Sequence, residues 1–467
     1  MYKIIKNASK LLSAGDQESR KIVLDILDET LYRLDSYHLI KRMVKVEGHI
    51  MTIGKRSWDL STKKNIYLIG AGKAANAMAR AFDEILGDRL TDGIAVVKIR
   101  EPQDDDIKHV RIYTGGHPLP NQSGFLAALK VLELVDKATA DDLFIGAMSG
   151  GNSSLMSCPM EDMTLQEEMQ TRDVMLKSGA NVIEVNAVCR HVSRVNGGHL
   201  AKRIEAKGAE MISFLIMDAI GFPPTIDPSE SQYFGATSMG PDITTLADAK
   251  AAIKNYNVED KLPQCVVDFF NNCTEENETP KTLQRWTPYI INTLPDASLI
   301  AKAEAEKRGF PAIVLTNYLS GEAREAGTFL ANIAQEIQVS GQPIAAPCVI
   351  VATGEVSTKI SPKEKIGLGG PGQELTTSFA IMAANTKGVC LASVDTEGTD
   401  GPTMAAGGLT DSSTLAESER ISIDLYKALR CHNTYDALNA LNCKIVTGNT
   451  GTNLCDLHIM YVPALTD

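Results

Sequence analysis

A glycine-rich turn that contains a lysine, Gly70-Ala71-Gly72-Lys73, follows an apolar run and opens an alanine-rich helical segment. Glycines let the backbone turn tightly, and a helix N-terminus offers free N–H groups and the positive end of its dipole. Lys73 adds a full positive charge, which those N–H groups repel unless an anion is present. The turn therefore predicts an anion-binding site, and a purely structural turn is the alternative.

The same turn satisfies the dinucleotide pattern G-x-G-x-x-A, which makes a nicotinamide-dependent oxidoreductase an alternative. That function needs an acidic residue at the end of the next strand, where it binds the ribose. The predicted strand 93–97 is followed instead by Lys98, which is basic. The turn also lacks the four-residue spacing and the Lys-Ser/Thr pair of a P-loop. Neither common nucleotide-binding motif is met.

A second loop of small polar residues, 149–154, follows the predicted strand 143–148. Its N–H and hydroxyl groups can form a nest for a phosphate or a carboxylate, although a plain loop is the alternative. The candidate donors are Ser149, Gly150, Gly151, Asn152 and Ser153. A third loop, 115–120, carries His117, which could orient an anion or serve the turn structurally.

Three glycine- and threonine-rich loops lie in the second half of the chain, at 369–374, 396–403 and 447–456. Each adjoins an apolar strand, so we expect all three at one edge of a second sheet. Asp400 and Glu374 could hold Mg²⁺, and the loops could wrap phosphates. The candidate nucleotide-binding residues in these loops are Gly369, Gly370, Gly401, Thr450, Gly451, Thr452 and Asn453. Together with the first two loops, they predict a cleft that handles phosphate.

Chain length and element order predict the architecture that carries these loops. The 467 residues exceed the roughly 250–300 that one hydrophobic core usually serves, so two domains are expected. Strands that alternate with helices predict an α/β fold whose first domain is a doubly wound, mainly parallel sheet. We place the domains at 1–260 and 290–467, with a boundary region at 261–289. Ligands of such sheets bind beyond the carboxyl ends of the strands.

Several helices have recognisable signals. Helical periodicity runs from residue 16 to about 50, with Asp16 as its N-cap. Thr164 and Glu167 form a capping box that opens another helix. Residues 184–206 predict one helix, and residues 245–271 also look helical.

Composition excludes several classes of partner. The net charge of -12 and the lack of clustered Lys/Arg exclude a nucleic-acid-binding surface. Nine cysteines without any CxxC pair favour reduced thiols over disulfides or a zinc site. No apolar run suits a signal peptide or a membrane helix. The sequence therefore predicts a cytoplasmic protein without a membrane or nucleic-acid partner, and a homodimer is compatible with it.

Seven segments occur in one order between about residues 60 and 460 and resemble a known family. They are IYLIGAGKAA (66–75), GGHPLPNQSG (115–124), MSGGNSSL (148–155), KSGANVIEVNAVCRHVSRVNGGHLA (177–201), GPGQE (370–374), GTDGPTMAAGG (398–408) and VTGNTGTNLCDL (446–457). Together they resemble the class II glycerate kinases, glycerate 2-kinases with a C-terminal MOFRL region, members of which have often been labelled hydroxypyruvate reductases.

The resemblance implies a Rossmann-like N-terminal domain, a second α/β domain, a site in the cleft between them, and Mg-ATP-dependent phosphorylation of D-glycerate at its 2-hydroxyl. Lys73 stands at the position of the family's active-site lysine, beside Gly70 and Gly72 as expected nucleotide contacts. Arg190 or Arg194 would hold the substrate carboxylate together with the N–H groups of 149–153. Asp218 would orient or deprotonate the hydroxyl.

The sequence also departs from the family pattern. Pro371 and Gly372 stand where Arg-Asn is usual, which removes a cation that could bind a phosphate or carboxylate. Either the acid differs from glycerate or another cation compensates, and the candidates are Arg190, Arg194, Lys359 and Lys365. The sequence therefore predicts an ATP-dependent hydroxy-acid kinase with D-glycerate as first candidate. The alternatives are a kinase of another sugar acid, a non-catalytic sugar-acid or nucleotide binder, and an NAD(P)H-dependent hydroxypyruvate reductase.

Overall fold

A computed structural model describes residues 2–225, 227–230, 237–360 and 366–465. The strands form one three-stranded and two six-stranded sheets. They are β1 (Val44–Glu47), β2 (Ile50–Ile53), β3 (Arg56–Asp59), β4 (Ile66–Ala71), β5 (Asp92–Val97), β6 (Val110–Thr114), β7 (Leu143–Met148), β8 (Glu210–Met217), β9 (Trp286–Thr293), β10 (Ala312–Glu322), β11 (Cys348–Ser357), β12 (Cys390–Asp395), β13 (Gly407–Asp411), β14 (Lys444–Ile445) and β15 (Asp456–Val462).

Helices connect most of these strands, as expected of an α/β protein. They are α1 (Ala8–Leu11), α2 (Gln17–Leu34), α3 (Ser36–Met43), α4 (Ala75–Leu86), α5 (Gln122–Asp136), α6 (Asn152–Leu155), α7 (Leu165–Lys177), α8 (Val182–His191), α9 (His199–Ala206), α10 (Leu246–Asn255), α11 (Gln264–Asn272), α12 (Leu294–Lys307), α13 (Ala323–Ser340), α14 (Pro371–Met382), α15 (Thr414–Arg420), α16 (Leu425–Arg430) and α17 (Thr434–Ala440). None of the helices in the described ranges has the length and apolar character needed to cross a membrane.

The chain divides into two units that differ from the sequence-based domain boundaries. The terminal unit contains Met1–Asp35, Met217–Ile226 and Asn292–Asp467, and the central unit contains Ser36–Ile216 and Asp227–Ile291. The first 35 residues thus belong with the C-terminal half. The reason is burial: α2 contributes core residues to that half, and its Arg20 pairs with Asp411 there.

The central unit is built on the sheet with strand order β6-β5-β4-β7-β8-β9. Strands β4 to β8 pair in parallel, which confirms the predicted parallel α/β sheet of the first half. Strands β4 and β7 are buried along their whole lengths. They are neighbours in register, with Ala71 opposite Met148, so the turns that follow them emerge side by side.

The terminal unit has a mixed sheet with strand order β10-β11-β15-β12-β13-β14. Strands β10 and β11 are parallel, and the other pairs are antiparallel. Both Gly354 of β11 and Asp395 of β12 lie opposite Asp456, the first residue of β15. The loops after β12 and before β15 are therefore adjacent at one edge. Helices α13 and α14 pack against this sheet and bury Leu330 and Phe379 in its core.

Most local predictions are confirmed, and the exceptions have identifiable causes. Asp16 caps α2 through its carboxylate, and Thr164 with Glu167 forms the capping box of α7. The first helical region ends at Met43, because 44–59 form strands joined by turns with φ values of +56° at Gly48 and Gly54.

The predicted helix at 184–206 is two helices, α8 and α9. Gly197 and Gly198 between them adopt φ values of +62° and +79°, which lie outside the helical region. The region 245–271 is likewise divided, into α10 and α11. Strands β6, β9 and β13 were not among the predicted elements.

Candidate active site

The lysine turn after β4 and the serine loop after β7 are hydrogen-bonded to each other. The Lys73 N–H donates to the Gly150 carbonyl at 3.1 Å, and the Ala74 N–H donates to Ser149 Oγ at 3.0 Å. Ser149 in turn donates its N–H to the Ala71 carbonyl at 3.1 Å. The two predicted anion sites of the central unit are thus one structure, with Lys73 partly exposed just before α4.

Gly72 makes this junction possible. Its φ is +136°, a conformation that residues with a Cβ rarely adopt. A Cβ there would overlap Ser149 Oγ and lie 2.6 Å from the Ser149 carbonyl oxygen. The close approach of the two loops therefore requires glycine at this position.

We expect Gly72→Ala to destabilise the central unit by at least about 2 kcal/mol, since backbone strain and overlap with Ser149 act together. Thermal unfolding followed by circular dichroism measures this. Gly87→Ala is the matched control, because Gly87 also has a positive φ of +53° but open space around it. Equal losses of stability in the two variants would contradict a specific role for the Gly72–Ser149 contact.

Other side chains hold the serine loop in place. Asn152 Nδ2 donates to the Ser149 carbonyl at 3.0 Å, and Asn196 Nδ2 donates to the Ser153 carbonyl at 2.9 Å. The amide oxygen of Asn196 accepts from Ser238 Oγ at 2.9 Å. Ser238 was not predicted, because it lies in an irregular stretch without any motif. The backbone of the serine loop is therefore held both by Asn152 within the loop and by Asn196 outside it.

The third predicted loop joins the same cluster. A Cβ on Gly151 would lie 3.0 Å from the ring of His117, so the loop 115–120 packs against the loop 149–154. The Gly115 N–H also donates to the Val97 carbonyl at 2.9 Å, which fixes this loop beside β5. The structure thus brings together all three loops that were predicted in the first half of the chain.

The two candidate arginines differ in the availability of their charge. Arg190 on α8 pairs at 2.9 Å with Asp242, whose side chain is fully buried. Arg194 lies beyond α8 and is 28% exposed, with Glu161 at 3.7 Å. Glu161 is itself 83% exposed, so solvent screens that pair. Arg194 is therefore the better of the two for binding an added anion.

In the terminal unit, Thr396 links two of the predicted loops. Its N–H donates to the Cys455 carbonyl at 2.9 Å, and its Oγ accepts from the Leu454 N–H at 2.7 Å. Thr450 Oγ donates to the Thr396 carbonyl. The loops 396–403 and 447–456 thus meet at one sheet edge, as predicted.

Asp218 belongs to the terminal unit and joins the same loops. Asn453 Nδ2 donates to Asp218 Oδ2 at 2.9 Å, and Cys455 Sγ donates to the Asp218 carbonyl at 2.6 Å. Burial raises the pKa of the Cys455 thiol well above its usual value, and the Asp218 charge adds to that effect. Cys455 is therefore a thiol at neutral pH rather than a reactive thiolate.

Asp400 connects the third loop to this group. Its Oδ1 accepts from the Gly372 N–H at 3.1 Å, and its Oδ2 accepts from the Gln373 N–H at 2.8 Å. Burial raises the pKa of Asp400 to about 6, although the hydrogen bonds from Gln373 and Gly372 oppose that shift. All three glycine- and threonine-rich loops of the second half therefore gather at one edge, as predicted.

The predicted Mg²⁺ ligands do not fit that role. Both oxygens of Asp400 already accept backbone N–H bonds, and Glu374 Oε1 pairs with His432 Nδ1 at 2.6 Å. The guanidinium of Arg324 lies 3.8 Å from Glu374 Oε2, where it would repel a metal cation. Within the described ranges, no group of three or more His, Cys, Asp or Glu side chains could hold a metal ion.

Comparison with known proteins identifies the family. The domain of unknown function DUF4147 matches residues 22–271, and the MOFRL family matches residues 348–456. A glycerate 2-kinase of Pyrococcus horikoshii is 35% identical over 447 residues, which cover 95% of this chain and 97% of the relative. The chain belongs to the class II glycerate kinase family.

Further relatives agree with this assignment. The D-glycerate 2-kinase of Thermotoga maritima is 34% identical, with 84% of this chain and 90% of the relative covered. A crystal structure of a glycerate kinase from Thermotoga maritima superposes with a TM-score of 0.76 at 31% identity, covering 95% of this chain and 99% of that one. The predicted family and the two-part α/β fold are thereby confirmed.

Lys98 and the Pro371-Gly372 pair, which depart from known motifs, have defined places in the structure. Lys98 follows β5 in the structure, so the acidic ribose ligand that a nicotinamide site needs is absent from that position. Pro371 and Gly372, which replace the family's Arg-Asn, form the first residues of α14. Of the compensating cations proposed for them, Lys359 is exposed and Lys365 lies outside the described residues.

Proposed function

We propose that the protein transfers the γ-phosphoryl group of ATP to a hydroxyl of a small hydroxy acid, with D-glycerate as the first candidate and 2-phosphoglycerate as its product. The hydroxyl oxygen forms the new bond to phosphorus, the bond from phosphorus to the β,γ-bridging oxygen breaks, and ADP leaves. The hydroxyl proton passes to a base. The similarity over nearly the full length of a glycerate 2-kinase carries this proposal.

In this proposal the central unit supplies anion-binding groups. Lys73 stabilises the charge that spreads over the transferring phosphoryl group, which is the main catalytic demand in such reactions. The N–H groups of 150–153 and the guanidinium of Arg194 hold the carboxylate of the acid, because the Ser149 N–H already donates to the Ala71 carbonyl. The hydrogen bonds from the lysine turn to Ser149 and Gly150 support a joint role, because they fix Lys73 beside those donors.

The terminal unit supplies the remaining groups. Asp218 accepts the hydrogen bond of the substrate hydroxyl and is the candidate base. Thr452 Oγ is buried and has no hydrogen-bond partner within the described residues, which leaves a donor for a nucleotide oxygen. The other proposed nucleotide contacts are Gly369, Gly370, Gly401, Thr450, Gly451 and Asn453. No step is assigned to Mg²⁺, since no group of three or more His, Cys, Asp or Glu side chains among the described residues could hold it.

An ADP-release assay with Mg-ATP and hydroxy acids of three to six carbons tests the proposal. We expect the highest kcat/KM with D-glycerate, and ³¹P NMR of the product identifies the phosphorylated hydroxyl. A parallel assay follows NAD(P)H absorbance with hydroxypyruvate and should show no change. If no acid raises ADP release above the rate with ATP alone, the protein is not such a kinase.

We further infer a cytoplasmic location. All nine cysteines are free thiols in the structure, a pattern typical of proteins in a reducing compartment. The homodimer remains a prediction, which light scattering of the purified protein would test.

A further inference from the structure

The N-terminus of α14 lacks a cap of its own. Its N-cap residue is Gly370, which has no side chain, and its first helical residue is Pro371, which has no N–H. The next two residues, Gly372 and Gln373, carry N–H groups that a helix cannot satisfy internally. Helix α14 is buried along most of its length, so these donors need partners from elsewhere.

Asp400 provides those partners from a loop that is distant in sequence. Its two carboxylate oxygens accept the Gly372 and Gln373 N–H groups at 3.1 and 2.8 Å. Gln373 Nε2 reaches back to Asp400 Oδ2 at 3.0 Å and to Thr403 Oγ at 3.1 Å. The arrangement is reciprocal, as in a capping box, but it joins residues 27 positions apart.

Glycine makes the approach of the carboxylate possible. A Cβ on Gly370 would lie 2.5 Å from both carboxylate oxygens of Asp400. Gly401 has a φ of +61°, and a Cβ there would lie 2.6 Å from the Gly369 carbonyl oxygen. Three of the proposed nucleotide contacts, Gly369, Gly370 and Gly401, are thus held in place around Asp400.

We propose that Asp400 is a positioning residue rather than a metal ligand: it caps α14 from outside the helix and fixes the loops 369–374 and 396–403 as one rigid pair. The first N–H groups of α14 are already occupied by an internal anion, so nucleotide phosphates meet the loop around the helix end and not the helix end itself. This last consequence rests on the proposed kinase function, whereas the capping role does not.

Thermal unfolding in EDTA tests the cap without any activity. We expect Asp400→Ala to lower Tm by about 5 °C or more, because it strips the cap from a buried helix end. Asp424→Ala is the matched control: Asp424 caps α16 through one bond to the Lys427 N–H at 2.8 Å and is exposed, so its loss should lower Tm less. An unchanged or higher Tm for Asp400→Ala in EDTA would overturn the proposal.

Two milder variants guard against a protein that fails to fold. Asp400→Asn and Gln373→Met should each lower Tm, and the double variant should lose less than the two shifts added together, because both remove one shared network. Additive shifts would overturn the cap.

In the kinase assay Asp400→Asn should raise KM for ATP about tenfold with the Mg²⁺ concentration for half-maximal activity unchanged. A tenfold rise in that Mg²⁺ concentration would instead make Asp400 a metal ligand. If the wild-type protein releases no ADP, the kinase proposal fails, and the Tm measurements still decide the role of Asp400.

Discussion

Replacing Lys73 by alanine is expected to lower kcat for ADP release by about 10²–10³-fold while leaving the fold intact. The lysine stands just before α4 and is partly exposed, and its backbone N–H is held by the bond to the Gly150 carbonyl. In the proposed mechanism its ammonium stabilises charge that develops during phosphoryl transfer, which is where a kinase gains most of its rate. Steady-state kinetics with D-glycerate and ATP, together with far-UV circular dichroism, measure both parts of the expectation.

Lys202→Ala is the control for that experiment, because Lys202 is an exposed lysine on α9 in the same unit. It should retain full activity. Lys73→Arg keeps the charge but not the compact ammonium, and it should recover only part of the lost rate. Turnover near the wild-type value in Lys73→Ala would remove this residue from the mechanism.

The largest expected effect on stability comes from Arg20, which pairs with Asp411 at 2.5 Å with both side chains about 99–100% buried. Arg20→Met leaves the Asp411 carboxylate buried without its cation, and we expect a loss of about 3–5 kcal/mol in the free energy of unfolding. Urea unfolding of the full chain measures it. Arg420→Met is the matched control, since its pair with Glu417 is exposed and screened by solvent, so its loss should change the free energy of unfolding far less.

The pair also predicts a pH dependence. Burial raises the pKa of Asp411, but the Arg20 charge and the hydrogen bonds from Ser413 outweigh burial and hold that pKa below its usual value. A carboxylate with a lowered pKa contributes stability above its unfolded pKa of about 3.9 and loses that contribution as the pH falls through the folded pKa. The difference between wild type and Arg20→Met should therefore shrink below about pH 4. A difference that is constant from pH 7 to pH 3 would contradict the ionic origin of the effect.

The amino-acid sequence alone was enough to predict most strands of the central sheet and the loops where chemistry could occur. Apolar runs such as 66–69 and 143–148 predict buried strands, and the glycines and serines that follow them predict turns, so β4, β7 and their loops were predictable. Capping signals at Asp16 and Thr164 were equally local. The seven collinear segments alone also indicated the family.

The sequence does not show which group each charged side chain contacts, and the folded structure does. Asp400 has the residue type and the surrounding loop of a metal ligand, yet its oxygens are taken by N–H groups 27 and 28 residues away. In the sequence, Arg190 and Arg194 are equal candidates for binding an anion, but in the structure Arg190 pairs with the buried carboxylate of Asp242, whereas Arg194 lies near the exposed Glu161. The first 35 residues belong to the same unit as the C-terminal half, where Arg20 forms an ion pair with Asp411. The type of a residue determines which bonds its side chain can form. Contacts between residues distant in sequence determine which partner the side chain binds. Only these contacts distinguish a helix cap or a core ion pair from a group that is available to bind a ligand.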